Sequence, residues 1–167
     1  MLIIFGGLPG TGKTTIARAL AGRIGAVHVR VDTIEQSIRD ADVLKADVGP
    51  AGYIVAYGIA EDNLTLGHTV IADSANCLHI TRDAWLSVAE RSGTSAVEIQ
   101  IICSDKIEHR RRVETRASDV KGLTKPTWEK ISLRQYDDWG KRPITIDTAQ
   151  QDVDRSVAFL ISKLGLG

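Results

Sequence analysis

An open α/β fold, with a parallel sheet between two layers of helices, is predicted by three features of the sequence. An apolar run, Met1-Leu2-Ile3-Ile4-Phe5, passes directly into a glycine-rich loop and then into a segment of helical periodicity. Strand-like and helix-like segments alternate along the whole chain, the order that a parallel sheet wrapped by helices requires. Aspartates, Asp32 and Asp73, stand at the carboxyl ends of two predicted strands, where open sheets of this kind bind their ligands.

The loop, Gly6 to Thr15, contains the pattern G-x-x-x-x-G-K-[ST] from Gly7 to Thr14 with every fixed position filled. Glycines let the backbone turn tightly so that successive N–H groups point inward and form a concave cradle for anionic oxygens. Lys13 adds a positive charge. The five apolar residues before the loop read as a fully buried parallel strand. After it, Ile16, Ala19, Leu20 and Ile24 recur at helical spacing from Thr14 to Ile24, so the helix N-terminus also faces the phosphates. Gly7, Leu8, Pro9, Gly10, Thr11, Gly12, Lys13, Thr14 and Thr15 are therefore expected to bind a nucleoside triphosphate. The Thr14 hydroxyl is expected on a magnesium ion bridging the terminal phosphates. A loop that merely turns the chain would leave the flanking strand, helix, lysine and hydroxyl without a purpose.

The remaining elements follow in order. A second strand is expected near 26–31, ending at Asp32, with a short helix from about Thr33 to Asp40; the polar segment 41–50 reads as a loop. A longer helix covers about 51–66, with Tyr53, Tyr57, Ala60 and Leu64 on one face and Gly67 placed to stop it. Strand three is 69–72 and ends at Asp73; a helix over 81–91 carries Trp85, Val88 and Ala89 inward, and strand four is 96–103. A charged helix over 105–116 leads into a polar stretch, 117–126, that reads as a mobile flap. Then come a helix over 127–139, a fifth strand at 144–146, and a final helix with Val153, Val157, Leu160, Ile161 and Leu164 on one face. The expected sheet order is 2-3-1-4-5.

With 167 residues the chain suits one domain, 1–167, with a lid segment at about 112–127. Cys77 and Cys103 lack C-x-x-C spacing, which argues against a zinc site or disulfide framework and fits a reducing cytoplasm. No signal peptide or membrane span is legible, so a cytoplasmic location is expected. Lys plus Arg and Asp plus Glu both total 21, for a formal net charge of zero. Long nucleic acids call for a basic excess, and the only dense cluster is His109-Arg110-Arg111-Arg112. Small substrates are the better expectation, without excluding nucleic acid, and oligomeric state is left open.

The chemistry is expected at the strand ends. Asp73, after Val70-Ile71-Ala72, has the form of an acid that holds magnesium directly or through water, or it caps the turn Asp73-Ser74-Ala75-Asn76. Asp32 is placed to accept or orient the proton of an attacking hydroxyl, or to N-cap the helix that follows, with Glu35 nearby; the two roles are compatible. Arg112 and Arg116 stand four apart, as on one helix face, aimed at whatever the flap covers, where arginines arriving with a lid would stabilise transferring phosphoryl charge. The alternative for that helix is a solvated face paired with Glu108 and Glu114. His28, His68, His79 and His109 have no metal-ligand spacing and read as surface or core imidazoles. Arg82 either reaches a substrate anion or pairs with a neighbouring acid, and Trp85, Trp128 and Trp139 read as packing.

Through the loop, Val31-Asp32-Thr33, Val70 to Asn76 and the helix ending Arg112-Val113-Glu114-Thr115-Arg116, the chain resembles the small P-loop kinases of the adenylate-kinase-like group. That group includes shikimate, gluconate and adenylylsulfate kinases, chloramphenicol phosphotransferase and polynucleotide 5′-kinase. The resemblance implies a three-layer P-loop NTPase fold, with Lys13, Asp32, Arg112 and Arg116 catalytic, Asp32 the base, and Thr14 and Asp73 at the metal. Polynucleotide kinases look similar in the Asp-x-x-Asn turn and the paired arginines. They carry an arginine three residues after the base, where this chain has Glu35; shikimate kinases carry an aspartate two residues before it, where Arg30 stands. The expected function is ATP- and Mg2+-dependent transfer of the γ-phosphate to a hydroxyl of a small molecule. The alternatives are a nucleic-acid 5′-hydroxyl kinase and a nucleotide-dependent switch with a protein partner. ATP rather than GTP follows from the resemblance alone.

Overall fold

In the computed structural model, which describes residues 1–42, 47–140 and 143–166, the apolar start of the chain is the centre of the sheet. Strand β1 (Leu2–Gly6) is buried at every position and pairs in parallel with two later strands. The elements that follow are α1 (Lys13–Ile24), β2 (Val27–Arg30), α2 (Val31–Asp40), α3 (Ala51–Thr65), β3 (Val70–Asp73), α4 (His79–Arg91), β4 (Ala96–Ile102), α5 (Lys106–Thr115), α6 (Trp128–Ser132), β5 (Ile144–Asp147) and α7 (Val153–Leu164). All four pairings are parallel, in the order β2-β3-β1-β4-β5, which is the predicted order.

Side chains alternate across a strand, so β1 feeds two cores. Leu2 and Ile4 join Val29, Ala72, Trp85 and the α3 residues Ala56 and Ala60 on one face. Ile3 and Phe5 join Ile16, Leu20, Ile99, Ile146 and the α7 residues Val157 and Leu160 on the other. Burying such side chains contributes roughly 1.5–3 kcal/mol each, and the two cores fix the strand ends where the candidate site residues stand. Cys77 and Cys103 are free and buried. Among the described residues no helix is long and apolar enough to cross a membrane.

Three expectations need correction. The second strand ends at Arg30 rather than near Asp32, and α2 begins at Val31 with the extended Arg30 at its cap position and no side-chain cap. Asp32 thus lies inside the first helical turn, where it complements the helix dipole but does not N-cap. The helix expected over 127–139 is only the short α6. Beyond Leu133 the chain is drawn out of helical form by partners elsewhere: the Asp137 N–H donates to the Cys77 carbonyl at 2.8 Å, and Arg82 donates to the Asp138 carbonyl at 2.7 Å. Finally, α5 ends at Thr115, so Arg116 is its C-cap in extended conformation and does not share a helix face with Arg112. Of the loop expected over 41–50, residues 43–46 lie outside the described residues.

Candidate active site

The P-loop occupies the gap between β1 and α1, and its backbone depends on glycine. Gly7, Gly10 and Gly12 all have positive φ, of 150°, 87° and 91°. At Gly10 an added Cβ would also come within 2.6 Å of the Val113 side chain. Neighbouring elements grip the loop: the Gly7 N–H donates to the Ala75 carbonyl at 3.0 Å, His109 Nε2 donates to the Pro9 carbonyl at 2.9 Å, and the Thr148 hydroxyl donates to the Thr11 carbonyl at 2.7 Å. The turn after β3 is tied to β1 as well. Asn76 takes a φ of 47°, a conformation Asn tolerates, and its side-chain amide donates to the Phe5 carbonyl at 2.7 Å.

Lys13 and Asp73 meet at the floor of the site. Both are buried, with Lys13 Nζ 3.7 Å from Asp73 Oδ1. His28 Nε2 donates to Asp73 Oδ2 at 3.1 Å, and Arg30 Nε stands 4.0 Å from the same oxygen. Burial pushes the Asp73 carboxyl up, but Lys13 and then the hydrogen bonds from His28 and Thr14 outweigh it and hold the group below the ordinary carboxylate range. Asp73 is therefore an anion in contact with the Thr14 hydroxyl. Among the described residues no cluster of three or more His, Cys, Asp or Glu could hold a metal by itself. One carboxylate and one hydroxyl, completed by phosphate oxygens and water, nonetheless fit magnesium, which seldom uses an all-protein cage.

Arg112 and Arg116 differ in their surroundings. Arg112 is engaged on all sides, donating to Glu108 at 2.8 Å, to the Thr148 hydroxyl at 2.8 Å and to the Thr148 carbonyl at 3.1 Å. Arg116 keeps a buried Nε with no hydrogen-bond partner, an arrangement that suits an incoming anion. Arg110 and Arg111 form the solvated face, paired with Glu114 and Glu108 at 2.7 Å.

Two adjoining cavities surround these groups. The first, about 390 Å³, is bordered by Gly10, Gly12, Thr15, Arg18, Arg112 and Asp119. The second, about 320 Å³, contains Asp32 and Glu35 with Leu123 and Lys125 of the flap. Lys13, Thr14, Arg30 and Arg116 line both. Asp32 has a half-exposed carboxylate 3.7 Å from Arg30 Nη2, and burial pushes the Glu35 carboxyl up.

Sequence reasoning missed Arg30, His109, Thr148 and Asp119. Arg30 makes a two-point contact with Asp119 of the flap, at 2.8 and 3.0 Å, and Arg18 reaches the same carboxylate at 2.6 Å. The Arg30 guanidinium holds the Asp119 carboxyl down at about 2. Arg82 fits neither role offered for it. It is buried and donates to the carbonyls of Asn76 and Asp138 at 2.9 and 2.7 Å, to His79 Nδ1 at 3.0 Å, and stacks over Trp139. Trp85 and Trp139 are buried as packing residues, and Trp128 packs edge-on against His109.

Comparison with known proteins agrees with this architecture. Residues 2–134 match the family described as AAA domain. An uncharacterized protein of Mycobacterium tuberculosis is 30% identical over 162 residues, covering 89% of this chain and 32% of its own length; the chain thus spans about a third of the curated relatives it matches first. A putative adenylate kinase of Pyrococcus furiosus is 33% identical over 96 residues, 54% of this chain and 53% of that protein. Among solved structures, a putative kinase from Chloroflexus aurantiacus superposes with a TM-score of 0.77 at 22% identity, over 99% of this chain and 96% of that one. An APS kinase from Mycobacterium tuberculosis, solved with AMPPNP and APS, gives 0.74 at 18% identity over 98% and 96%. By its family match the chain belongs to the AAA domain family, and its strand order and glycine-rich loop give it a P-loop architecture.

Proposed function

We propose that this chain is an ATP-dependent kinase that transfers the γ-phosphate to a hydroxyl of a small molecule. The observation that carries the reading is the pair of adjoining cavities: the P-loop borders one, Asp32 stands in the other, and Lys13, Thr14, Arg30 and Arg116 line both. A donor phosphate held by the loop and an acceptor hydroxyl at Asp32 would meet at that shared wall.

In the transfer, the acceptor oxygen forms a bond to the γ-phosphorus, the bond to the bridging β-oxygen breaks, and ADP leaves with the electron pair. Asp32 orients the hydroxyl and takes its proton. The loop N–H groups and Lys13 hold the phosphates, and Arg116, with its unpartnered Nε, stabilises charge on the transferring group. Magnesium, held by Thr14 and Asp73, would neutralise charge on the β- and γ-oxygens. Arg112 fixes the wall of the phosphate cavity. Positioning supplies much of the rate in such reactions, and the flap over 116–127 would act as the lid that excludes water.

The test is ATP consumption with magnesium across a pooled panel of hydroxyl metabolites. Acceptor-stimulated turnover should vanish in Lys13→Ala. In Asp32→Asn, transfer should be lost with ATP affinity nearly unchanged; full turnover in that variant removes Asp32 from the chemistry.

A further inference from the structure

The second cavity carries more positive charge than phosphate transfer needs. Arg30 is matched by Asp119 and Arg39 by Glu35, the latter at 3.4 Å. Lys13 and Arg116 face the P-loop side as well. That leaves Lys130 and Arg134 on the same cavity wall; neither makes an ion pair among the described residues, and Arg134 has only the neutral Cys77 thiol as a side-chain neighbour in hydrogen-bond contact. Both side chains are solvent-accessible and four residues apart, Lys130 within α6 and Arg134 just after it, where the Arg134 N–H donates to the Ile131 carbonyl at 3.1 Å. Lys125 lines the same wall, with its ammonium on the Arg116 carbonyl. Asp32 and Glu35 are the only carboxylates lining this cavity among the described residues; one is assigned to the hydroxyl and the other already faces Arg39.

We propose that the acceptor is itself an anion, a small hydroxylated molecule bearing a carboxylate or a phosphate or sulfate group, and that Lys130 and Arg134 receive this oxyanion. The inference rests on the kinase reading for its hydroxyl end and on the cavity for its charged end. A guanidinium and an ammonium on one wall form charge-assisted hydrogen bonds with an oxyanion. A neutral polyol would leave both charges on that wall without an anionic partner. A volume of about 320 Å³ confines the acceptor to a compact molecule.

The test uses three probes that differ only in charge: glycerol, glycerate and glycerol 3-phosphate. Binding to the protein saturated with ADP and magnesium, so that the P-loop is filled, is measured by calorimetry at constant ionic strength. At least one charged probe should bind tenfold or more tighter than glycerol, and the Lys130→Gln/Arg134→Gln double variant should lose that tenfold. The carboxylate and phosphate arms then tell which oxyanion is preferred. Equal binding of all three probes, undetectable binding of both charged ones, or charged-probe binding unaffected by the double variant overturns the proposal. Failure of the kinase reading would appear separately, as ATP turnover that no acceptor stimulates.

Discussion

Residues 116–127 and residues 133–140 both lack regular structure and both border the cleft, yet they are fixed by opposite means. The first segment is pinned by charge at the rim: Asp119, half exposed, is clasped by the half-exposed Arg18 and, at two points, by Arg30, which is buried. The second is pinned from within. Arg82, 2% exposed, takes its carbonyls, and Trp139, 6% exposed, fills the space beside Gly6. Surface ion pairs contribute little net stability because water and salt compete for both partners. Buried, fully engaged guanidiniums are costly to remove because their partners are left unsatisfied. One segment is thus held through a half-exposed carboxylate and the other through buried carbonyl contacts and packing.

The sharpest way to break this contrast is Arg82→Ala. It orphans the buried Asn76 carbonyl, removes the partner of the part-buried Asp138 carbonyl and should cost about 3 kcal/mol, read by denaturant unfolding; a loss under about 1 kcal/mol would show that the segment is held by something else. Gly6→Ala comes next. A Cβ there would overlap the Trp139 ring, so the indole must shift, at a cost of about 1–3 kcal/mol, with altered near-ultraviolet signals as a second readout.

Asp119→Asn should behave differently, costing about 1–2 kcal/mol in global stability, less than the loss of the fully engaged Arg82 because the carboxylate is half exposed, while sharply raising protease cleavage between residues 116 and 127. Unchanged cleavage would mean that the ion pairs do not restrain the flap. The smallest effect is in pH. The Asp119 carboxyl, held at about 2 by Arg30, is depressed below its unfolded value of roughly 3.9. Its contribution is complete above that value and is lost as pH falls through about 2. The stability difference between the native chain and Asp119→Asn should therefore shrink between about pH 4 and pH 2, and a difference constant across that window would contradict the assignment.

The contrast also explains what could be read in advance. The sheet order was legible because each strand is a short apolar run and the loop between Phe5 and Lys13 has a spacing with one physical purpose. The helix expected over 127–139 failed because its competitors are distant: Arg82 lies 56 residues from Asp138, and local periodicity carries no trace of it. Arg30 was noticed only as a departure from a family pattern, since its partner Asp119 is 89 residues away. Asp32 lines the cavity at the end of β2, but the capping role offered as its alternative fails, because β2 passes into α2 without the capping residue that marks most helix starts. His109, buried between a polar helix and the P-loop, carried no metal-ligand spacing and so no signal at all.

Helix α5 rests on the P-loop through two contacts, His109 on the Pro9 carbonyl and Val113 against Gly10. The helix and the phosphate cradle therefore form one mechanical body, and the joint of the flap lies after Thr115. Arg112 lies within that body and Arg116 at its boundary. Two arginines four residues apart thus belong to different parts of the molecule: Arg112 is fixed to the body by Glu108 and Thr148, and Arg116 opens the irregular segment that covers the cleft.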